Sequence, residues 1–340
     1  MARKIFMYAT QSKIVEEESF LFYKLGFDVY TAAWAVGRTT HFFEYKEFNP
    51  NHFYQGKCDF LSDDEVKTLS KIDVAWGMLP TVPTKYLPDI RDVLLDKFDV
   101  LYVTAPTPWL VYAEDFLKAG KKVILRPFGY APYSWGKSID LDVLFGYDDF
   151  YVVTCTAYDT KHYQRVSTAI TMVNKELFVD TGTPQSDYVF SIFPVVNDEV
   201  REQLKNKFSV MGIPWQLHEY HYGWKTTLEF NSLFNGSAMY LDLNSMVRYP
   251  FLEAMARGKI AITRAISQKS PQLQVFLSSN GLNNDKASYK EFKDAPIVIN
   301  NLRSNPELSS EVLQAQSVWI DYMMTDAVNV WKNILEVNDG

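Results

Sequence analysis

The stretch RYPFLEAMARGKIAITR, residues 248–264, places a carboxylate inside an apolar helical run that leads into a short β-branched strand. Pro250 suits the first turn of a helix, because the N–H that proline lacks would have no intrahelical partner there. The unpaired amides of a helix start attract phosphate. Glu253, one turn further along, can accept hydrogen bonds from sugar hydroxyls. The spacing therefore predicts a ligand that carries both phosphate and hydroxyl groups.

Polar and cationic residues around this helix start extend the candidate site. Asn244 and Ser245 form a polar loop after the predicted strand 238–243, and Tyr249 directly precedes Pro250. Arg248 can grip a diphosphate through two parallel hydrogen bonds, or it can be an exposed loop cation. Lys225, in HYGWKTT, is either a second phosphate-binding cation or a solvated lysine.

Charged residues in the first half of the chain are further candidates. Arg126 lies toward the end of the predicted strand 122–129, where a cation can offset the charge of a departing phosphate. A structural ion pair is the alternative for this arginine. Glu16, Glu17 and Glu18 lie near the start of the predicted helix 14–26, and we expect surface charges favoured by the helix dipole, one of which could face an acceptor.

Three pairs of side chains have spacings that occur in metal sites: a histidine pair, which has no third ligand of matching spacing nearby, and two pairs of the D-x-D type or close to it, which is a weak signal alone. They are His218 and His221, Asp140 and Asp142, and Asp242 and Asn244. Zinc sites in proteins need at least three protein ligands. We therefore predict no metal and no other cofactor.

Bulk properties exclude several classes of protein. The net charge of −7 and a pI near 5.4 argue against broad electrostatic binding to nucleic acid or anionic membrane. The chain contains no run of about 20 apolar residues, the length that a membrane span needs. Its cysteines, Cys58 and Cys155, are far apart and suggest no disulfide framework. We expect a cytoplasmic protein.

The elements that position these residues alternate between strand and helix along most of the chain, which is typical of open α/β sheets. We predict an α/β fold of two Rossmann-like open-sheet domains that face each other across a cleft. The domains are residues 1–178 and 187–308, with residues 35–62 as an insertion or long loop. The segment APIVIN, 295–300, is predicted as a strand.

The tail 309–340 has helical spacing, and we predict that it packs back on the N-terminal domain. Its apolar positions are Val318, Tyr322, Ala327, Val330, Trp331 and Leu335.

The segment AMYLDLNSMVRYPFLEAMARGKIAIT, 238–263, resembles the donor-binding domain of GT-B-fold glycosyltransferases of the retaining, nucleotide-sugar-dependent type. Those families carry E-G-F-G-x-P-x-x-E-A-M-A-x-G-x-P-V-I after a strand. Residues 151–164 and 169–178 resemble more weakly the end of the family's N-terminal domain. The matching motif positions are Pro250, Leu252, Glu253, Ala254, Met255, Ala256 and Gly258.

The resemblance implies a hexosyl- or pentosyltransferase that uses a nucleotide diphosphate sugar as co-substrate and retains the anomeric configuration. It implies that Glu253 contacts the donor ribose, that the helix amides hold the diphosphate, and that no metal is required. Asn244, Ser245, Arg248 and Tyr249 would complete the donor site, with Arg126 and Lys225 as catalytic cations. The acceptor is open: a glycan, a small molecule or modified DNA.

The sequence also departs from the family pattern. Ser245 replaces the first motif glutamate, eight positions before Glu253, and Arg248 stands where glycine is usual. The Gly-Arg pair and downstream lysine that grip the diphosphate are missing from SIFPVVNDEVREQ, 191–203. Two alternatives therefore stay open: a phage-type enzyme that glycosylates DNA bases, and a non-catalytic nucleotide- or sugar-binding protein on the same scaffold.

Overall fold

The chain forms two compact units. The N-terminal unit comprises Met1–Asn174 together with Asp326–Gly340, and the C-terminal unit comprises Lys175–Thr325. The structure is a computed structural model that describes residues 3–9, 12–35, 39–44, 61–69, 71, 86–104, 108–127, 141–154, 165–178, 182–193, 198–219, 227–243, 249–264 and 286–337. Within these residues, none of the helices combines the length and the hydrophobicity that crossing a membrane requires.

The N-terminal unit is built on a seven-stranded sheet of order β3-β2-β1-β4-β5-β6-β7, parallel except for the antiparallel pair β2 and β3. The order reverses direction between β1 and β4. The strands are β1 Lys4–Ala9, β2 Asp28–Ala35, β3 Thr39–Glu44, β4 Val100–Thr104, β5 Lys122–Arg126, β6 Phe150–Thr154 and β7 Val166–Thr168. The helices are α1 Ser12–Lys24, α2 Asp63–Leu69, α3 Pro88–Lys97, α4 Ala113–Lys118 and α5 Leu141–Phe145.

The C-terminal unit has a five-stranded parallel sheet of order β12-β11-β10-β8-β9, which reverses between β8 and β10. Its strands are β8 Val189–Phe193, β9 Trp215–Glu219, β10 Met239–Leu241, β11 Ile260–Arg264 and β12 Ser288–Tyr289. Its helices are α6 Asp198–Val210, α7 Thr227–Gly236, α8 Tyr249–Ala256, α9 Ala295–Ser304 and most of α10 Pro306–Leu335.

The central strands carry runs of buried apolar residues because both faces of a parallel sheet are covered. Residues 123–126 of β5 and 260–263 of β11 are all buried. On β11, the backbone of Ala261 bonds to a side chain of α10: its N–H donates to Gln316 Oε1 at 2.9 Å and its carbonyl accepts from Gln316 Nε2 at 2.7 Å. Helix α10 is thereby fixed to the C-terminal sheet.

Two sequence predictions about secondary structure were wrong. Residues 295–300 belong to helix α9, and Pro296 stands at its first turn, where proline is compatible with a helix. The buried positions Ala295, Ile299 and Leu302 recur at helical spacing, which the six-residue segment APIVIN was too short to reveal. Within residues 35–62, predicted as an insertion or loop, residues 39–44 form strand β3.

The end of α10 packs into the core of the N-terminal unit. Trp331 is fully buried, and its ring lies 5.1 Å from Phe22 and 6.0 Å from Tyr102, between ring centroids. Ala327 and Leu335 are buried with it. Val318 and Tyr322, which the apolar spacing grouped with these residues, are instead exposed.

Candidate functional site

The candidate site is the helix α8 that follows β10, at the strand-order reversal of the C-terminal sheet. In open α/β sheets, ligands bind beyond the carboxyl ends of the strands at such a reversal. Leu252, Ala254 and Met255 anchor α8 in the core. At its end, the N–H of Gly258 donates to Met255 O and that of Lys259 to Ala254 O, both at 2.9 Å.

This pair of bonds is a Schellman motif, with Gly258 in the left-handed region at φ +67°. The motif ends α8 three residues before β11, and its two bonds pair the carbonyl groups of Ala254 and Met255 near the end of the helix. Because a Cβ at Gly258 would meet no atom within 4 Å, glycine is required there by the backbone conformation and not by space. The tight turn of the sequence therefore fixes the direction of α8 relative to β11.

Glu253 is buried on α8, with a side chain only 4% exposed. Its Oε1 accepts two hydrogen bonds from Arg257, from Nε at 3.1 Å and from Nη2 at 2.7 Å. Its Oε2 makes no hydrogen bond to any described residue. The carboxylate therefore has one oxygen that is not bonded within the described part of the chain.

The guanidinium of Arg257 also contacts side chains other than Glu253. Its Nη1 donates to Asn235 Oδ1 at 3.1 Å, and its Nη2 donates to Asn231 Oδ1, both on α7. The guanidinium carbon lies 3.9 Å from the ring centroid of Phe178 and 5.5 Å from that of Phe234. The sequence analysis missed this residue, although its position four residues after Glu253 is the spacing at which helical side chains meet.

Lys259 adds a second buried cation next to this pair. Its Nζ donates to the carbonyl of Asn235 at 3.2 Å. Burial lowers the pKa of Lys259 below its ordinary value, and the neighbouring charge of Arg257 lowers it further. With Glu253 charged, Glu253, Arg257 and protonated Lys259 together carry one net positive charge. The surroundings of Glu253 thus favour a neutral or anionic ligand over a cation.

Asp242 directly follows β10, and Tyr289 lies across from it on β12. The hydroxyl of Tyr289 donates to the backbone carbonyl of Asp242 at 2.8 Å. Burial raises the pKa of Tyr289 well above its ordinary value, the charge of Asp242 raises it further, and Arg264 opposes the shift. Tyr289 is therefore a neutral hydrogen-bond donor that fixes the end of β10.

Arg126, predicted as a catalytic cation, is fully buried in the N-terminal unit. Its Nε and Nη2 donate to Glu18 Oε1 at 3.1 and 2.8 Å, and its Nη1 donates to the carbonyl of Ala169 at 2.8 Å. The ring of Trp331 lies 5.3 Å from its guanidinium carbon. A guanidinium without exposed area cannot touch a departing phosphate in this conformation. These contacts favour the structural alternative.

Glu17 and Glu18 are also buried, so the expectation that they are surface charges was wrong. Tyr102 donates its hydroxyl to Glu18 Oε2, while Arg126 occupies Oε1. Asn174 donates to Glu17 Oε2 from its backbone N–H and from its side-chain amide, each at 2.6 Å. Both carboxylates are therefore paired within the N-terminal unit.

The remaining predicted site residues divide between described and undescribed positions. Tyr249 is the first residue of α8 and is partly exposed; Asp142 is exposed on α5, and His218 lies on the edge strand β9. In the part of the chain that is described, no three His, Cys, Asp or Glu side chains form a cluster that could hold a metal ion. Asp140, His221, Lys225, Asn244, Ser245 and Arg248 lie outside the described residues, as does the side chain of Glu16.

Comparison with known proteins identifies the fold. Neither the family models nor the curated protein sequences gave a match. Among solved structures, an O-GlcNAc transferase mutant from Thermobaculum terrenum matches 98% of this chain and 66% of its own length at 10% identity, with a TM-score of 0.50. UGT2 of Phytolacca americana, complexed with UDP-2-fluoro-glucose and pterostilbene, matches 98% of this chain and 99% of its own length at 10% identity and a TM-score of 0.50. The two α/β units have the GT-B fold.

Proposed function

We propose that this protein is a glycosyltransferase that moves a sugar from a nucleotide diphosphate sugar to an acceptor, with retention at the anomeric carbon. The C-terminal unit is the donor-binding unit in this proposal. Support comes from the GT-B fold and from the E-A-M-A-x-G segment on α8. The observation that carries the proposal is the buried carboxylate of Glu253 on α8, the helix that follows β10, with Oε1 bonded to Arg257 and Oε2 bonded to no described residue.

In the proposed reaction, the bond between the anomeric carbon and the diphosphate breaks, and the oxygen of the acceptor hydroxyl forms a bond to the anomeric carbon. The proton of that hydroxyl goes to the departing diphosphate or to solvent. Positive potential must stabilise the departing diphosphate. The amides at the start of α8 and the cations Arg248 and Lys225 are the candidates for this role. Glu253 would hold the ribose hydroxyls of the donor, and Asn244, Ser245 and Tyr249 would line the same site.

The substitution Glu253→Gln tests the proposal. A charged acceptor of a hydroxyl hydrogen bond contributes about 1.5–3 kcal/mol, so we expect donor binding to weaken roughly 10- to 150-fold. Calorimetry against a panel of nucleotide sugars, beginning with UDP-glucose, measures the change. Glu311→Gln is the matched control, because Glu311 is an exposed glutamate of the same unit that pairs with Lys286 and not with Arg257.

The outcomes separate the alternatives that the sequence left open. Equal affinity of Glu253→Gln and wild type would mean that α8 is scaffold only. Donor binding without sugar transfer or donor hydrolysis would support the non-catalytic binding protein, which the replacement of the motif glutamate by Ser245 favours. Transfer to DNA alone, with binding that weakens steeply with salt, would indicate the DNA-base enzyme.

A further inference from the structure

The guanidinium of Arg257 is immobilised by more contacts than an ion pair requires. Two amide oxygens on α7, from Asn231 and Asn235, accept from its terminal nitrogens, and the ring of Phe178 covers it at 3.9 Å. An arginine side chain that is fixed in this way loses the conformational entropy of its several rotatable bonds. Because α7 and the aromatic ring hold it, the guanidinium cannot follow Glu253 to another rotamer.

The orientation of the contact determines which carboxylate oxygen remains available. An arginine that donates from two nitrogens commonly binds both oxygens of a carboxylate in parallel. Here Nε and Nη2 both donate to Oε1, and Oε2 bonds to no described residue. The pair is therefore closed at one oxygen and open at the other, and Glu253 presents Oε2 in a fixed direction.

The local charge limits what Oε2 can bind. Arg257 neutralises Glu253, and Lys259 lies beside them as a further cation. A metal ion or an amine at Oε2 would face both cations, whereas a hydroxyl group needs only an acceptor and brings no charge. The arrangement fits a neutral hydroxyl donor attached to an anionic molecule.

We infer that Arg257 is a positioning residue that aims Oε2 of Glu253 at a ribose hydroxyl of the donor, so that the protein selects ribonucleotides over 2′-deoxyribonucleotides. This inference rests on the proposed function. Arg257 does not contact the ligand in this inference and acts through Glu253. Without the two donors Nε and Nη2 of Arg257, the carboxylate of Glu253 stays charged but is free to rotate.

The experiment measures by calorimetry, on the full chain, the affinities for ribonucleoside diphosphates and for their 2′-deoxy forms. The pairs are UDP with dUDP and, in the same way, GDP, ADP and CDP with their deoxy forms. For the wild type, we expect the deoxy form of the best-binding nucleotide to bind roughly 10- to 150-fold more weakly, the loss of one hydrogen bond to a charged acceptor. In Arg257→Lys, which keeps the charge and loses the fork, this ratio should fall below about threefold. Binding of the deoxy form should change little.

A purely structural arginine gives a different result, because it would weaken both nucleotides by the same factor and leave the ratio unchanged. That result, or a wild-type ratio near one, overturns the inference while sugar transfer can still succeed. If the wild type binds no nucleoside diphosphate and no nucleotide sugar, the proposed function fails first. Arg303→Lys is the control, since Arg303 pairs with Asp187 at an exposed position of the same unit and should leave the ratio as in wild type.

A second variant covers the case in which Arg257→Lys does not fold. Asn235→Ala removes one oxygen that holds Nη1 and leaves the contact between Arg257 and Glu253 in place. We expect the ribose selectivity of this variant to fall by a smaller factor, with circular dichroism like that of the wild type. A folded Asn235→Ala variant with undiminished selectivity would count against positioning through Arg257.

Discussion

Replacing Arg126 distinguishes a structural ion pair from a catalytic cation. In Arg126→Met, Glu18 keeps only its hydrogen bond from Tyr102, and the carbonyl of Ala169 loses a 2.8 Å donor. Breaking a fully buried ion pair costs about 3–5 kcal/mol because one charge remains uncompensated. The lost bond to the carbonyl adds about 1 kcal/mol. We therefore expect a loss of about 4–6 kcal/mol in the free energy of unfolding.

Urea unfolding followed by tryptophan fluorescence measures this loss, because Trp331 lies over the guanidinium. With a urea m-value of about 1–3 kcal/mol per molar, the midpoint should fall by more than about 1 M. Arg126→Met combined with Glu18→Met should recover most of the loss, since an apolar pair can replace a buried ion pair at little cost. Lys118→Met, in an exposed pair with Glu114, is the control and should leave the midpoint unchanged.

The reasoning would be refuted by the opposite pattern. If Arg126→Met unfolds at the wild-type midpoint but loses sugar transfer by a hundredfold or more, Arg126 reaches the substrate in a conformation unlike the one described. The catalytic interpretation made from the sequence would then be correct.

Two further changes have defined outcomes. Because the pKa of Tyr289 is raised above the ordinary value of 10.0, its contribution to stability is complete below about pH 10 and is lost as the pH rises toward its folded-state pKa. Tyr289→Phe should therefore lower the free energy of unfolding by about 0.5–1.5 kcal/mol at pH 7. Between pH 9 and 11, the free energy of unfolding of the variant should fall less steeply than that of the wild type. Parallel pH profiles of the two proteins in unfolding experiments would contradict this. Chelation should leave sugar transfer intact, and loss in EDTA that Mn²⁺ restores would point instead to a metal bound at Asp140 and Asp142 or at Asp242.

The fold could be predicted from the sequence where burial sets the pattern. Both central strands β5 and β11 were identified because a parallel strand covered on two faces is a continuous apolar run. Edge elements were harder: β3 is antiparallel and follows three undescribed residues, and β12 has only two residues. Helix α9 was misassigned because Ile297, Val298 and Ile299 favour a strand by propensity, whereas the helical spacing of the buried residues Ala295, Ile299 and Leu302 decides the structure.

The site could be predicted only in part, because local sequence does not show which charges are buried. Glu17 and Glu18 stand in an acidic run that is typical of a solvated helix start. Their partners Asn174 and Arg126 are more than 100 residues away, at separations of 157 and 108. Glu253 and Arg257 are four residues apart, and so this pair could have been found from helical spacing alone.

The two buried arginine–glutamate pairs differ in a way that bears on function. In the pair of Glu18 and Arg126, both carboxylate oxygens have partners, one from the guanidinium and one from Tyr102. In the pair of Glu253 and Arg257, the arginine occupies Oε1 alone, and Oε2 has no bonded partner among the described residues.

Apolar side chains of similar volume are often at least as stabilising as a buried ion pair, so stability by itself does not explain why either pair is present. The closed pair can still serve to fix the packing of α1, β4, β5 and α10, because its groups contact all of these elements within one unit. The open pair lacks that explanation for its second oxygen. A largely buried charged acceptor is costly without a donor, and a bound hydroxyl would supply one to Oε2, which has no partner among the described residues.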